Sequence, residues 1–217
     1  MQVMWMRPGH PAELAGAQET EEAEEGFFWI DVERSEADWE RRARHWLGGA
    51  LDERHLSDSL NERHPPFYDG TDDYDMLIAR SLDAASPSAA PVTRPIALYL
   101  FAGGLVSVRP CGEDVFHRLH QRLLSGQRRS PESPAALLHL LLHQIIDRLM
   151  EQRAGVTDLL NQWQDRLLAP GGAFVDWQPL MQLRSQMRRL ELTVETQLDA
   201  LAAWREQTSL SIDQSLA

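Results

Sequence analysis

Residues 133 to 150 read SPAALLHLLLHQIIDRLM, and this stretch decides the architecture. Ser133 is a good N-cap and Pro134 suits the first helical position. Leu137, Leu138, Leu141, Leu142, Ile145, Ile146 and Leu149 then recur at helical spacing, which predicts a long helix with one wide apolar face. After a break at Pro170-Gly171-Gly172, a second run sets Leu180, Leu183, Met187, Leu190, Val194, Leu198 and Leu201 three or four residues apart, nearly a heptad seam. Its end at Ser215-Leu216-Ala217 offers no glycine, proline or basic last turn, so the helix is expected to run on and the chain to be part of something longer.

In front of these helices the periodicity changes. Met1 to Gly26 mixes proline, glycine and glutamate with little repeat; Val3-Met4-Trp5 can make a short strand, but a loose acidic lead-in is expected. Phe27 to Val32 is aromatic and β-branched, a strand, after which Ser35 is expected to cap a helix that buries Trp39, Ala43 and Trp46 or Leu47 and stops at Gly48-Gly49. A short helix from Asp52 to Asn61 would turn Leu56 and Leu60 inward and Asp58 to another face, before His64-Pro65-Pro66 forces extended backbone. Tyr74 to Leu82 reads as a strand. Pro95 to Phe101 and Leu105 to Arg109 read as a hairpin through Ala102-Gly103-Gly104, where glycine can supply positive φ angles. Glu113 to Leu124 is an amphipathic helix with Val115, Phe116, Leu119 and Leu123 inward. The expected fold class is α+β (α/β): a lead-in over 1–26, a small mixed sheet flanked by helices over 27–131, and long antiparallel helices over 132–217.

Composition excludes several function classes. With 217 residues, 43% of them hydrophobic, the chain can bury a sizeable core. No run of about 18 apolar residues exists to span a bilayer, and the acidic front lacks a signal peptide's basic start, so the chain as written is expected to be soluble and cytoplasmic. The net charge is −12, every basic residue is arginine, and residues 134–217 hold 10 acidic against 7 basic residues, so −9 falls on the front part. That field opposes nucleic acid and favours cations, or is simply a solvated acidic surface. The single Cys111 rules out an internal disulfide or a multi-thiolate zinc site.

No nucleophile elbow, phosphate-binding glycine loop or metalloprotease helix motif is present, and no acid-base constellation, so the chain is not expected to be an enzyme. His117 with His120, and His139 with His143, share helical faces; two imidazoles without a third ligand read as ordinary polar or interface histidines. The seven tryptophans read as core and interface anchors.

In sequence order, several short motifs resemble the cytoplasmic part of the CorA family of divalent-cation transporters. Trp29-Ile30-Asp31-Val32 is similar to that family's early Trp-Ile-Asp-Leu strand, and Leu56-Ser57-Asp58-Ser59-Leu60-Asn61 to its Leu-Glu-Asp-x-Leu-Asn helix. Asp73 to Ile78 resembles the strand that follows, and Leu100 to Arg109 the hairpin ending Leu-Val-x-Val-Arg. Ala136 to Asp147 resembles the helix Leu-Leu-x-x-Leu-Leu-Asp-x-Ile-Val-Asp. The chain departs from the usual pattern where Asp52-Glu53-Arg54 replaces His-Pro-Leu and Pro65-Pro66-Phe67 replaces Arg-Pro-Lys, which leaves room for a zinc-transporting relative.

The resemblance implies a homopentameric funnel on the cytoplasmic side of the membrane, with a stalk helix leading into membrane helices beyond Ala217. It implies Mg2+ as the ion, with Zn2+ as the alternative. It also implies a regulatory cation at Asp58, facing a stalk carboxylate of the neighbouring subunit; the bland alternative is a solvent-exposed helix aspartate. Hard oxygen ligands suit Mg2+, and two carboxylates across an interface repel unless a cation lies between them. A stand-alone helical scaffold, whose Leu180 to Leu201 seam takes a partner helix, is the competing reading.

Overall fold

The computed structural model describes residues 1–15, 26–47, 49–83, 86, 91–112, 115–168 and 177–208. Alternating apolar strands build a seven-stranded sheet from β1 (Gln2–Met6), β2 (Glu13–Leu14), β3 (Phe27–Glu33), β4 (Phe67–Gly70), β5 (Tyr74–Leu82), β6 (Thr93–Phe101) and β7 (Gly104–Arg109). The order is β2-β1-β3-β7-β6-β5-β4. Only β3 and β7 pair in parallel, Ile30 opposite Val106 and Asp31 opposite Ser107; the other neighbours are antiparallel. The central strands are apolar on both faces because both are covered by helices.

On one face, Ile30, Val32, Met76, Ile78, Tyr99 and Val106 pack with Trp39 and Ala43 of α1 (Trp39–Leu47) and with Leu56 of α2 (Glu53–Leu60). The other face carries Trp29, Leu77, Leu98 and Leu105 against α3 (His117–Leu124), the first half of α4 (Pro134–Leu168) and the end of α5 (Trp177–Gln207). Leu137, Leu138, Leu141, Leu142, Ile145 and Leu149 are buried as their spacing predicts, whereas Ile146 at the edge of that stripe is 37% exposed. Ser133 caps α4, its Oγ accepting from the Ala136 amide at 3.1 Å. α5 returns antiparallel to α4: Ala200 and Trp204 join the core beside the start of α4, and farther out Leu149, Met150 and Arg153 of α4 line a groove of about 300 Å³ with Met187, Leu190 and Val194.

Four expectations need correction. The amino terminus is not all loose lead-in: β1 lies inside the sheet between β2 and β3, with Met4 and Met6 fully buried, because alternate residues of this five-residue strand reach the core. The first helix starts at Trp39, not after Ser35; Asp38, at φ +56°, supplies the carbonyl for the Arg42 amide, and the Ser35 hydroxyl accepts from Cys111. In α2 the buried pair is His55 and Ser59, while Leu60 is 51% exposed. Neither Gly103 nor Gly104 has positive φ; Gly104 is required because a Cβ there would come within 2.5 Å of the Phe28 carbonyl oxygen, so its role is close approach of β7 to β3. The break at Pro170-Gly171-Gly172 and the run to Ala217 lie outside the described residues.

Candidate functional site

The sequence places Asp58 on α2, and the structure fixes that helix firmly. Asp52 is its N-cap, Oδ1 accepting from the Arg54 amide at 2.7 Å, and the Asp52 amide donates to the Tyr74 hydroxyl at 2.9 Å. His55 is held inward from both sides, Nδ1 lying 2.8 Å from the Tyr74 hydroxyl and Nε2 3.1 Å from Asp69 Oδ2. The Tyr99 hydroxyl donates to the His55 carbonyl at 2.8 Å. Arg34 clamps the other end, Nε donating to the Ser59 carbonyl at 2.8 Å and Nη2 to the Pro95 carbonyl at 2.7 Å. These bonds tie α2 to β4, β5 and β6, so Asp58 projects from a rigid base.

The Asp58 side chain is about one third exposed, and Oδ1 lies 3.5 Å from His64 Nε2. His64 sits in the turn between α2 and β4, its amide donating to the Asn61 carbonyl at 3.2 Å and its Nδ1 lying 2.8 Å from the Pro65 carbonyl oxygen. Its own carbonyl accepts from Arg80 Nη1 at 2.6 Å. The Arg80 amide in turn donates to Gln197 Oε1 on α5 at 2.9 Å. That amide lies past the end of β4, whose last partner on β5 is Ile78, so the glutamine supplies the acceptor a neighbouring strand would have given. One arginine thus links the turn beside Asp58 to the long terminal helix.

A second link holds α5. Asp75, buried on β5, accepts from the Tyr68 hydroxyl at 3.0 Å, from Trp204 Nε1 at 3.2 Å and from the Thr208 hydroxyl. Burial and the adjacent Asp75 charge push the Tyr68 phenol well above its ordinary range, which keeps it a donor. On the same face of the sheet, Asp31 accepts from Ser107 Oγ at 2.6 Å and Arg109 Nε at 2.7 Å, and Trp29 Nε1 donates to Ser107 at 3.0 Å. His120 packs on the Trp29 ring at 4.2 Å with Nε2 buried, 4.0 Å from Asp31 Oδ2 and without a hydrogen-bond partner among the described residues; burial brings the pKa of its imidazole down to about 4.

The structure therefore separates one histidine pair and keeps the other. His120 is buried whereas His117 is exposed and contacts Gln121, so those rings do not converge. His139 and His143 remain neighbours, ring centroids 4.4 Å apart on the outside of α4. Among the described residues no group of three or more His, Cys, Asp or Glu gathers to hold a metal ion. The partners of Asp75, Asp31 and Arg80 escape sequence reading because 76 to 133 residues separate the members of the long-range pairs. His64 lay beside a quoted motif; its proximity to Asp58 depends on the turn.

This mixed α/β domain, a seven-stranded sheet covered by helices, has the fold of a CorA soluble domain. The chain belongs to that family: the family model for CorA-like Mg2+ transporter proteins matches residues 24–216. None of the curated proteins matches the sequence. Among solved structures, full-length CmaX is similar at TM-score 0.78 and 19% identity, over 97% of this chain and 64% of that one. The complete CorA magnesium transporter of Methanocaldococcus jannaschii is similar at TM-score 0.78 and 15% identity, over 100% of this chain and 66% of that one. The ZntB cytoplasmic domain of Vibrio parahaemolyticus RIMD 2210633 follows at TM-score 0.61 and 18% identity, over 95% and 82%. The chain thus spans just under two thirds of the two full-length structures. No helix of the described residues is long and apolar enough to cross a membrane.

Proposed function

We propose that this chain is the cation-sensing and assembly part of a divalent-cation transporter, with Mg2+ as the transported ion and Asp58 as a ligand of the regulatory cation. The observation that carries the reading is the family match over residues 24–216. The attachment of α5 supports it mechanically. Gln197, Trp204 and Thr208 couple the helix to the sheet through Arg80 and Asp75, so a change at the α2 corner has a packed, hydrogen-bonded route to the helix that would lead towards a membrane. The exposed Val194 and Leu198 on α5 support self-association, and a homopentamer on the cytoplasmic side of the membrane is the expected assembly. Ion transport rather than catalysis is the activity.

A second reading, transport of Zn2+, is favoured by the imidazole beside Asp58, since imidazole suits Zn2+ whereas Mg2+ prefers oxygen ligands. Reconstituting the natural full-length protein in liposomes and following uptake of each ion separates the two. Mg2+ uptake that Asp58→Ala renders insensitive to internal Mg2+ supports the first reading. Zn2+ uptake without Mg2+ uptake favours the second, and transport of neither rejects both.

A further inference from the structure

We infer that two copies of this chain pair through the solvent face of α5, antiparallel and related by a twofold axis, with arginines of each copy meeting glutamates of the other. Met181, Arg184, Arg188, Glu191, Glu195 and Leu198 follow one another at intervals of three or four residues, alternating as in a heptad, so they line one seam of the helix. All six are exposed, because the opposite side of α5, with Leu183, Gln197 and Trp204, is the buried one. Met181 and Leu198, 55% and 65% exposed, stand at the two ends of the seam with four charges between them. Those charges are segregated, two arginines and then two glutamates, and like charges four residues apart repel along a helix. Among the described residues none of the four makes an ion pair, although Arg153 of α4 lines the same groove as Glu191 and Glu195.

A second copy turned end for end supplies the missing partners. With the axis passing between Arg189 and Leu190, Arg188 meets Glu191 of the second copy, Arg184 meets its Glu195, and Met181 meets its Leu198. Each contact occurs twice, so four opposite-charge pairs are closed at both ends by an apolar pair. Beside the seam, the groove residue Met187 comes next to Val194 of the second copy, which is 50% exposed, and Trp177, 51% exposed, reaches its Ala202. The charges also select direction and register. A parallel pair in register would set arginine on arginine and glutamate on glutamate. Sliding the antiparallel pair by one heptad would set Glu191 against Glu195, or Arg184 against Arg188. The stated register makes all four pairs opposite in charge and closes on itself. A twofold contact cannot join every neighbour around a ring of five, so in the proposed pentamer it links two rings rather than the members of one.

The inference rests on the proposed self-association through α5 and not on any cation. Sedimentation of the 217-residue chain at low salt is expected to show a dimer, which added salt weakens. Arg184→Glu and Glu195→Arg should each weaken it about tenfold or more, since each sets like charges against one another twice; circular dichroism checks that the helices persist. The double variant, Arg184→Glu with Glu195→Arg, restores opposite pairs and should dimerise as the unaltered chain does. An equimolar mixture of the two single variants should form the mixed dimer for the same reason. Association unaffected by the single variants, or lost in them and not regained in the double variant, would overturn the pairing and leave self-association to another face. A chain that stays monomeric at every concentration reached would overturn both.

Discussion

Asp75 is the residue on which the seat of the terminal helix depends most. A buried carboxylate is costly unless hydrogen-bonded, and here three donors, Tyr68, Trp204 and Thr208, satisfy it. Asp75→Ala should remove the acceptor of the buried Trp204 Nε1 and of the Tyr68 hydroxyl and cost about 2 to 4 kcal/mol in a urea titration. Tryptic cleavage at the exposed Arg205 should accelerate at the same time. Unchanged cleavage would mean that α5 is held by apolar packing alone. His120 carries a pH dependence of definite sign. Its imidazole takes a proton near its ordinary 6.5 in the unfolded chain but only near 4 in the folded protein, because burial disfavours the charged form. The folded state is favoured fully above pH 6.5 and loses up to about 3 kcal/mol as the pH falls from 6.5 to 4. His120→Gln should flatten that part of a plot of urea midpoint against pH.

At the scale of elements, the α5 seam is divided. Leu183 is buried, and Leu190 and Leu201 pack against the core, while Val194 and Leu198 are 50% and 65% exposed. Replacing Leu198, the more exposed of the two, by glutamate should change the stability of the isolated chain by no more than about 0.5 kcal/mol. The same change should abolish self-association measured by sedimentation; association that survives would place the interface elsewhere. The strongly periodic elements were legible in the sequence: β5, the β6–β7 hairpin, α4 and α5 all follow their apolar spacing. β4 was not, since its four residues form an exposed edge strand without alternation, and the inner face of α2 was misjudged because polar His55 and Ser59 occupy it. Asp58 was legible only through its motif, whereas His64 meets it through a turn that no periodicity encodes.

For the whole molecule, sheet, corner and long helix form one connected body. Asp58 and His64 lie at a corner that Arg80 joins to Gln197, and Asp75 joins the other strand end to Trp204 and Thr208. In the reading proposed above, a cation bound at Asp58 would bias the position of α5 through contacts already made, a population shift rather than a new contact. The acidic front suits that role by concentrating cations near the surface. Whether this chain is the sensing and assembly part of a divalent-cation transporter is read from the gene over about a hundred codons beyond Ala217. Two apolar runs of about 20 residues, each long enough to span a bilayer, are expected there. A stop codon directly after Ala217 would contradict that reading.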